Sequence, residues 1–261
     1  MSYLGYSKIL ARDFLSLFDK PIILEIGLDR GQTALPLLYN MSLYCDEFKF
    51  IGVDIKLQSE FTEQITQLGD LKLPGDKERG KKEAEFYETS SMTWLSTKSL
   101  QEKYRGKIDL VMIDGDHNYH TVYNELKMLE NFTHERTLYI CDDYYGKHSQ
   151  LDNFITETGA EFQRNNKHLG EPVRLEKKGV KNAIDDYLRE SPWEWSVLTC
   201  DGTEPCLMWR KDHLNLKIVF NDDKRKFRNS KMVVKFNNNP ISVSTLFGYC
   251  DTTIPVFNNK K

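Results

Sequence analysis

The sequence predicts a doubly wound α/β fold: a Rossmann-like sheet, mostly parallel, closed by an antiparallel hairpin and followed by a β-rich C-terminal extension. Three observations predict it. Apolar runs alternate with helical periodicity from Ile22 to Cys141, which is the pattern of repeated strand–helix–strand units. The runs Ile22–Ile26, Ile108–Ile113 and Leu138–Cys141 are close to continuously apolar, as strands buried on both faces are. Each of these runs stops at glycine or at carboxylates: Gly27, Asp114 and Asp142-Asp143. In open α/β sheets, ligands bind at the carboxyl ends of parallel strands.

The elements follow in order. Ile9, Leu10, Phe14, Leu17 and Phe18 lie at helical spacing, which predicts an amphipathic lead-in helix over 7–18. Pro21 interrupts it, and Ile22–Ile26 is the first strand. Gly31-Gln32-Thr33 opens a helix through Leu35, Leu38 and Met41, with Pro36 tolerable only in its first turn. Phe48–Val53 is the second strand, ending at Asp54, and a helix follows over 61–68. Residues 69–82 are charged and contain Pro74, Gly75 and Gly80, a surface loop. Glu85–Tyr87 is a short third strand, 92–104 a helix, 108–113 the fourth strand, 119–129 a helix and 138–141 the fifth strand. Residues 146–179 are polar and follow the second acidic strand end, the position of a lid or substrate loop. Residues 183–189 read as a helix, and 195–199 with 206–209 as a closing hairpin. Short strands are expected at 216–220, 231–236 and 241–246. The domain division is therefore 1–211, with the lid-like insertion 146–179, and an extension over 212–261.

Composition narrows the setting. A chain of 261 residues with 39 % hydrophobic and 12 % aromatic content can bury a full α/β core. The net charge of −3 gives no global basic field, which argues against nucleic acid as a partner. The five cysteines have no zinc-finger spacing, and their odd, irregular count fits reduced thiols in a cytoplasmic location. The N-terminus lacks a signal-peptide pattern, and no apolar stretch approaches the length of a membrane span.

Glu25-Ile26-Gly27-Leu28-Asp29-Arg30-Gly31-Gln32-Thr33 has the form E-x-G-x-x-x-G-x-T between a strand and a helix. Gly27 permits a tight turn and close approach of a ligand, and free N–H groups at a helix start favour polar or anionic ligand groups. The pattern is neither G-x-G-x-x-G nor G-x-x-x-x-G-K-[ST], which weakens a nicotinamide, flavin or Walker-type reading. Asp54 either caps the next helix or accepts hydrogen bonds from the ribose hydroxyls of a cofactor. With the glycine turn one strand–helix–strand unit upstream, the ribose role is the expectation.

Asp114, Asp142 and Asp143 end neighbouring strands, and hard carboxylate oxygens suit Mg²⁺. Taken singly, Asp114-Gly115-Asp116 reads equally as a turn and Asp142-Asp143 as a helix cap. Together, after two apolar strands and downstream of a cofactor turn, they read as a metal site. His117, three residues past Asp114, is the candidate general base for an acceptor hydroxyl. Asp116 is the second choice for metal or base. Tyr119, Tyr144, Tyr145 and His148 either border an acceptor pocket or pack as ordinary aromatics.

The glycine turn with Asp54 resembles class I S-adenosylmethionine-dependent methyltransferases, and the E-x-G-x-x-x-G-x-[ST] form is similar to their catechol O-methyltransferase-like branch. The resemblance implies that Glu25, Gly27, Gly31 and Thr33 form the cofactor turn, with Glu25 placing the methionine end. It implies that Asp54 holds the ribose, Ser90-Ser91 lie by the adenine, and Asp114 borders the cofactor. The runs Ile113-Asp114-Gly115-Asp116-His117-Asn118-Tyr119, Asp142-Asp143-Tyr144 and Gly179-Val180-Lys181-Asn182-Ala183-Ile184-Asp185-Asp186-Tyr187 resemble the Mg²⁺-dependent macrocin O-methyltransferase (TylF-like) group. By that match Asp114, Asp142 and Asp143 carry the metal and His117 the base role. The resemblance covers about residues 20–210. The long link between Tyr144 and Gly179 and the C-terminal extension depart from it.

The expectation is an O-methyltransferase that uses S-adenosylmethionine and Mg²⁺ on a hydroxyl of a sugar or another small molecule, as a soluble chain that permits a homo-oligomer. A macromolecular acceptor (RNA, protein or polysaccharide) and a non-catalytic cofactor-binding module in an assembly are the alternatives.

Overall fold

The computed structural model describes residues 7, 8, 10–66, 82–152, 177–198 and 205–211, and the backbone of 217–219, 233–236 and 239–242. Its centre is a 7-stranded sheet. The strands are β1 (Ile22–Ile26), β2 (Phe48–Asp54), β3 (Lys82–Glu88), β4 (Ile108–Ile113), β5 (Thr133–Cys141), β6 (Trp195–Leu198) and β7 (Cys206–Arg210), in the order β3-β2-β1-β4-β5-β7-β6. β1 to β5 are parallel; β7 pairs antiparallel with both β5 and β6. The strand order reverses between β1 and β4, the position at which open α/β sheets hold their ligands.

The period-2 alternation of strand side chains sends neighbouring residues to opposite faces, and two cores result. Ile23, Phe48, Phe50, Leu110, Met112, Leu138 and Ile140 pack on one face against α1 (Ala34–Tyr44), α2 (Ser59–Thr66) and the lead-in segment. Leu24, Ile26, Ile51, Val53, Val111, Ile113 and Tyr139 face α3 (Ser91–Ser96), α4 (Lys98–Tyr104), α5 (Tyr119–Leu129) and α6 (Val180–Glu190). α5 and α6 are further joined by hydrogen bonds from Tyr119 to Asp186 at 2.7 Å and from Tyr187 to Glu130 at 3.0 Å.

Four elements differ from the pattern read in the sequence. The lead-in is a π turn (Leu10–Phe14) followed by a 3₁₀ turn (Leu15–Leu17), not one α-helix. Its buried residues come as adjacent pairs, Leu10/Ala11 and Phe14/Leu15, and packing both pairs overrides regular α geometry. The helix expected over 92–104 is two helices with an extended residue, Thr97, between them. Ser96 and Thr97 hydroxyls both donate to the Thr93 carbonyl, a local alternative to helix continuation. β3 and β5 are longer than expected; β5 starts at Thr133 and carries exposed Glu135 and Arg136, with a register shift opposite Ile108/Leu110. The third difference hides behind these polar residues, which mask a strand in the sequence.

The hairpin is present as read. A second sheet, β10-β9-β8, is formed by Lys217–Val219 (β8), Val233–Phe236 (β9) and Asn239–Ser242 (β10), so the third C-terminal strand lies earlier than expected. The surface loop expected at 69–82 falls almost wholly outside the described residues, and the insertion 146–179 is described only at its two ends, 146–152 and 177–179. Asp152 Oδ1 accepts hydrogen bonds from Tyr119 N and Gly179 N, both at 2.8 Å, which fixes those two ends beside the start of α5. Among the described residues no helix is long and apolar enough to cross a membrane.

Candidate active site

The site is assembled one residue past the ends of adjacent strands. The sheet hydrogen bonding runs on beyond the strands: Gly27 N donates to Val53 O, Asp114 N to Ile26 O, and Asp142 N to Ile113 O, at 2.8–2.9 Å. Gly27, Asp114 and Asp142 therefore stand side by side across β1, β4 and β5, at the switch point of the sheet.

Gly27 has φ +87°, and a Cβ there would lie 2.0 Å from the Asp114 carbonyl oxygen. Only glycine lets the β1 turn and the β4 end come together. Gly31, at φ +76°, is packed against the Phe61 ring, 2.3 Å from where a Cβ would sit. The turn is held by Asp54: its Oδ2 accepts from Leu28 N at 2.7 Å and Asp29 N at 3.0 Å, and its Oδ1 from Lys56 N at 3.0 Å. A carboxylate has about four acceptor positions, so Asp54 keeps about one, on Oδ1, for a ligand hydroxyl. Asp54 thus braces the β1 turn and does not cap the next helix, which starts at Ser59. Thr33 precedes α1 without a side-chain cap bond.

Glu25 lies beneath this turn, 1 % exposed, and its Oε2 has no hydrogen-bond partner among the described residues. Burial, with the nearby Asp54 charge adding to it, pushes its carboxyl up to about 8. It is thus a neutral acid at neutral pH, underlying the turn rather than standing in the open cleft.

The carboxylates divide into two groups. Asp114, with its side chain 40 % exposed, neighbours Asp142; desolvation, then the charge and hydrogen bonding of Asp142, raise the Asp114 pKa. Asp143 is engaged by His117. It adopts φ +55°, is 5 % exposed, and places Oδ2 3.0 Å from His117 Nδ1. Burial opposes ionisation of Asp143, but the His117 hydrogen bond and charge, with His148, outweigh it and hold its pKa below the usual carboxylate range. His117 Nε2 faces Asp114 Oδ1 at 3.8 Å. Burial disfavours the imidazolium, and the hydrogen bond to Asp143 with the Asp143 and Asp142 charges reverses this, so the His117 pKa is raised. The His148 ring stands 5.1 Å from that of His117.

The remaining predicted residues sort clearly. Asp116 Oδ2 accepts from Asn118 Nδ2 at 2.6 Å and Thr121 Oγ1 at 3.0 Å, which bonds it into the start of α5. Ser90 is the N-cap of α3, accepting from Thr93 N at 3.2 Å; Ser91 follows it, half-buried. Tyr119 and Tyr144 are packing residues whose hydroxyls donate to Asp186 and Asp185 at 2.7 Å. Tyr145, 39 % exposed, and His148 remain on the outer side of the site. Sequence reasoning missed Glu125, fully buried on α5; its only signal is a charged residue at an otherwise core-facing helical position.

The glycine cradle and the unpaired buried Glu25 oxygen fit an S-adenosyl cofactor with polar methionine and ribose groups. Among the described residues no group of three or more His, Cys, Asp or Glu side chains is arranged to hold a metal ion. The Asp114–Asp142 pair nevertheless has the donor chemistry of a Mg²⁺ site, which commonly uses one or two carboxylates and keeps several waters.

Residues 24–144 match the family model described as a methyltransferase domain. No curated protein matches the chain. Among solved structures, it is similar to the SAH-bound methyltransferase PaMTH1 of Podospora anserina, at 18 % identity and TM-score 0.44 over 73 % of this chain and 72 % of that one. It is also similar to an O-methyltransferase of Bacillus cereus in complex with SAH, at 12 % identity and TM-score 0.47 over 78 % of each chain.

Proposed function

We propose that this chain is an S-adenosylmethionine-dependent O-methyltransferase that acts on a hydroxyl of a small, sugar-like molecule with the help of Mg²⁺. The observation that carries the reading is the convergence of Gly27, Asp114 and Asp142 at the switch point, with the His117–Asp143 pair at 3.0 Å beside it. The match of residues 24–144 to a methyltransferase domain supports it.

When bound, the cofactor supplies an electrophilic methyl group and the metal supplies positive charge that lowers the pKa of the acceptor hydroxyl. The chain's own residues do the rest. The Gly27 turn brings backbone against the cofactor without a side chain in the way. Asp54 fixes that turn and offers its remaining Oδ1 position to a ribose hydroxyl. Asp114 and Asp142 would hold the metal at the strand ends. His117 donates Nδ1–H to Asp143, which fixes its tautomer and leaves Nε2 to take the proton of the acceptor hydroxyl. Holding acceptor and donor together at one strand edge removes much of the entropic barrier to transfer.

Two measurements test this. Saturating S-adenosylhomocysteine is expected to raise the melting temperature; no shift would sink the cofactor reading. A methyl-transfer screen across sugars, phenols and RNA, read by mass spectrometry, is expected to label a small-molecule hydroxyl. Labelling of RNA alone would replace the small-molecule acceptor with a macromolecular one.

A further inference from the structure

The two carboxyl oxygens of Asp143 have different surroundings. Oδ2 lies 3.0 Å from His117 Nδ1. Oδ1 lies where a side chain at Gly146 would begin. A Cβ built there would stand 1.7 Å from Oδ1, 2.8 Å from Cγ and 3.0 Å from Cα of Asp143. All three distances are shorter than van der Waals contact, so the carboxylate occupies the space that a larger residue would claim. The backbone does not itself call for glycine, because the φ of Gly146 is not in the left-handed region. What the position requires is the absence of a side chain.

The turn that carries Gly146 is fastened to a core helix. Val180 N donates to His148 O and Lys181 N to Ser149 O, both at 3.0 Å. These are two of the first N–H groups of α6, which have no carbonyl within their own helix to bond. Ser149 N in turn donates to Gly146 O at 3.2 Å. Gly179, at φ +82°, lets the chain pass close to Ser149: a Cβ there would lie 2.5 Å from the Ser149 carbonyl oxygen. Anchored in this way, Gly146 does not move aside for a displaced carboxylate. Facing it, Asp143 holds a φ of +55°, a strained conformation that persists only where its surroundings fix it.

We propose that Gly146 is a positioning residue for the His117–Asp143 pair: the space left by its missing side chain seats Asp143 Oδ1 and so aims Oδ2 at His117. The seat is a property of the fold, and its use in methyl transfer rests on the base role proposed for His117. A side chain at 146 expels the carboxylate and releases the imidazole, while the cofactor turn on β1 is left as it is.

The test reads the imidazole directly. A ring N–H donated to a carboxylate and sheltered from water gives a slowly exchanging proton resonance far downfield. His134 Nε2, 3.0 Å from Asp109 Oδ1 at the opposite edge of the sheet, supplies an internal control of the same kind. Proton NMR of the full chain is expected to show both resonances, each identified by its loss in His117→Gln or His134→Gln. Gly146→Ala is expected to lose the His117 resonance, to keep that of His134, and to melt about 2–4 °C lower. In an Asp143→Ala background the same substitution is expected to leave the melting temperature unchanged, because the carboxyl group that it would meet is gone. A His117 resonance that persists in Gly146→Ala, or is absent from the wild-type protein, overturns the inference. So does an equal loss of melting temperature in the two backgrounds. If Gly146→Ala does not fold, folding of Asp143→Ala/Gly146→Ala supports the seat and failure of both overturns it. A wild-type protein that shows the His117 resonance but gives no calorimetric binding of S-adenosylhomocysteine supports the seat and overturns the cofactor reading.

Discussion

His117 Nδ1 lies 3.0 Å from Asp143 Oδ2, so the carboxylate orients the imidazole instead of standing free at the strand end. The His117 pKa is raised above its ordinary value because the Asp143 hydrogen bond and the Asp143 and Asp142 charges outweigh burial. A general base works in its deprotonated form, so methyl transfer is expected to climb with pH and to level off above the ordinary histidine range. Asp143→Asn removes the charge and leaves the burial, which moves the midpoint downward. His117→Ala is expected to lower kcat roughly 10²- to 10⁴-fold. A pH–rate profile of the three proteins checks this; a midpoint unmoved in Asp143→Asn would refute the dyad.

Glu25 makes stability depend on pH in a defined direction. Its folded pKa, about 8, lies above the ordinary carboxyl value near 4.5. Below the unfolded value both states are protonated and its contribution is fully present. As pH rises toward the folded value the unfolded state ionises first, and stability is lost across the window from about 4.5 to about 8. Glu125 has the same sign and the same window. Glu25→Gln is expected to flatten the fall by an amount on the order of a few kcal/mol, at 1.36 kcal/mol per pKa unit. Urea melts between pH 5 and pH 9 read this out. A slope unchanged in Glu25→Gln would show that the carboxyl ionises freely in the fold.

The sheet was legible in the sequence because its strands are buried on both faces, which leaves near-continuous apolar runs such as Ile22–Ile26 and Ile108–Ile113. Strand ends were legible for the same reason: Gly27, Asp114 and Asp142 are where apolarity stops. The direction in which a side chain turns after the strand was not. Asp142 and Asp143 are adjacent and chemically identical, yet the positive φ of Asp143 sends one to Asp114 and the other to His117. Residue type alone carries no trace of that choice. Asp54 was legible as the carboxylate that ends the second strand, but the three backbone amides it accepts from depend on how the Gly27 turn closes. The break at Thr97 follows from hydroxyl-to-carbonyl bonds that compete with a helix of good periodicity.

Gly27→Ala tests the junction of the two strand ends. The new Cβ would lie 2.0 Å from the Asp114 carbonyl oxygen and 2.6 Å from Gly115 N, with φ at +87°. Both obstacles are backbone, so neither can rotate away, and the left-handed conformation adds strain on the order of 1–3 kcal/mol. The variant is expected to lose several kcal/mol of stability and to lose S-adenosylhomocysteine binding. Ala substituted at Gly106, whose Cβ would meet nothing closer than 4.0 Å, shares the positive φ and serves as the control for backbone strain alone. Equal melting temperatures for the two variants would remove the close approach as the cause.

Asp142 and Asp143 are predicted to separate in their metal dependence. Asp142 stands beside Asp114 and, after desolvation, raises the cost of ionising Asp114, a cost that a divalent cation relieves. Asp143 is 5 % exposed and engaged by His117. EDTA is expected to abolish methyl transfer, and added Mg²⁺ to restore it. Asp142→Ala is expected to raise the Mg²⁺ concentration needed for half-maximal activity by roughly tenfold or more, in line with loss of one of the one or two carboxylates that such sites use. Asp143→Ala is expected to leave that concentration within about twofold and to act on the pH profile instead, since second-sphere orientation of a base is separable from ligation. Titrating Mg²⁺ against initial rate for both variants decides it. If Asp143→Ala raises the Mg²⁺ requirement as much as Asp142→Ala, all three carboxylates ligate the ion and the His117–Asp143 pair must open when the metal binds.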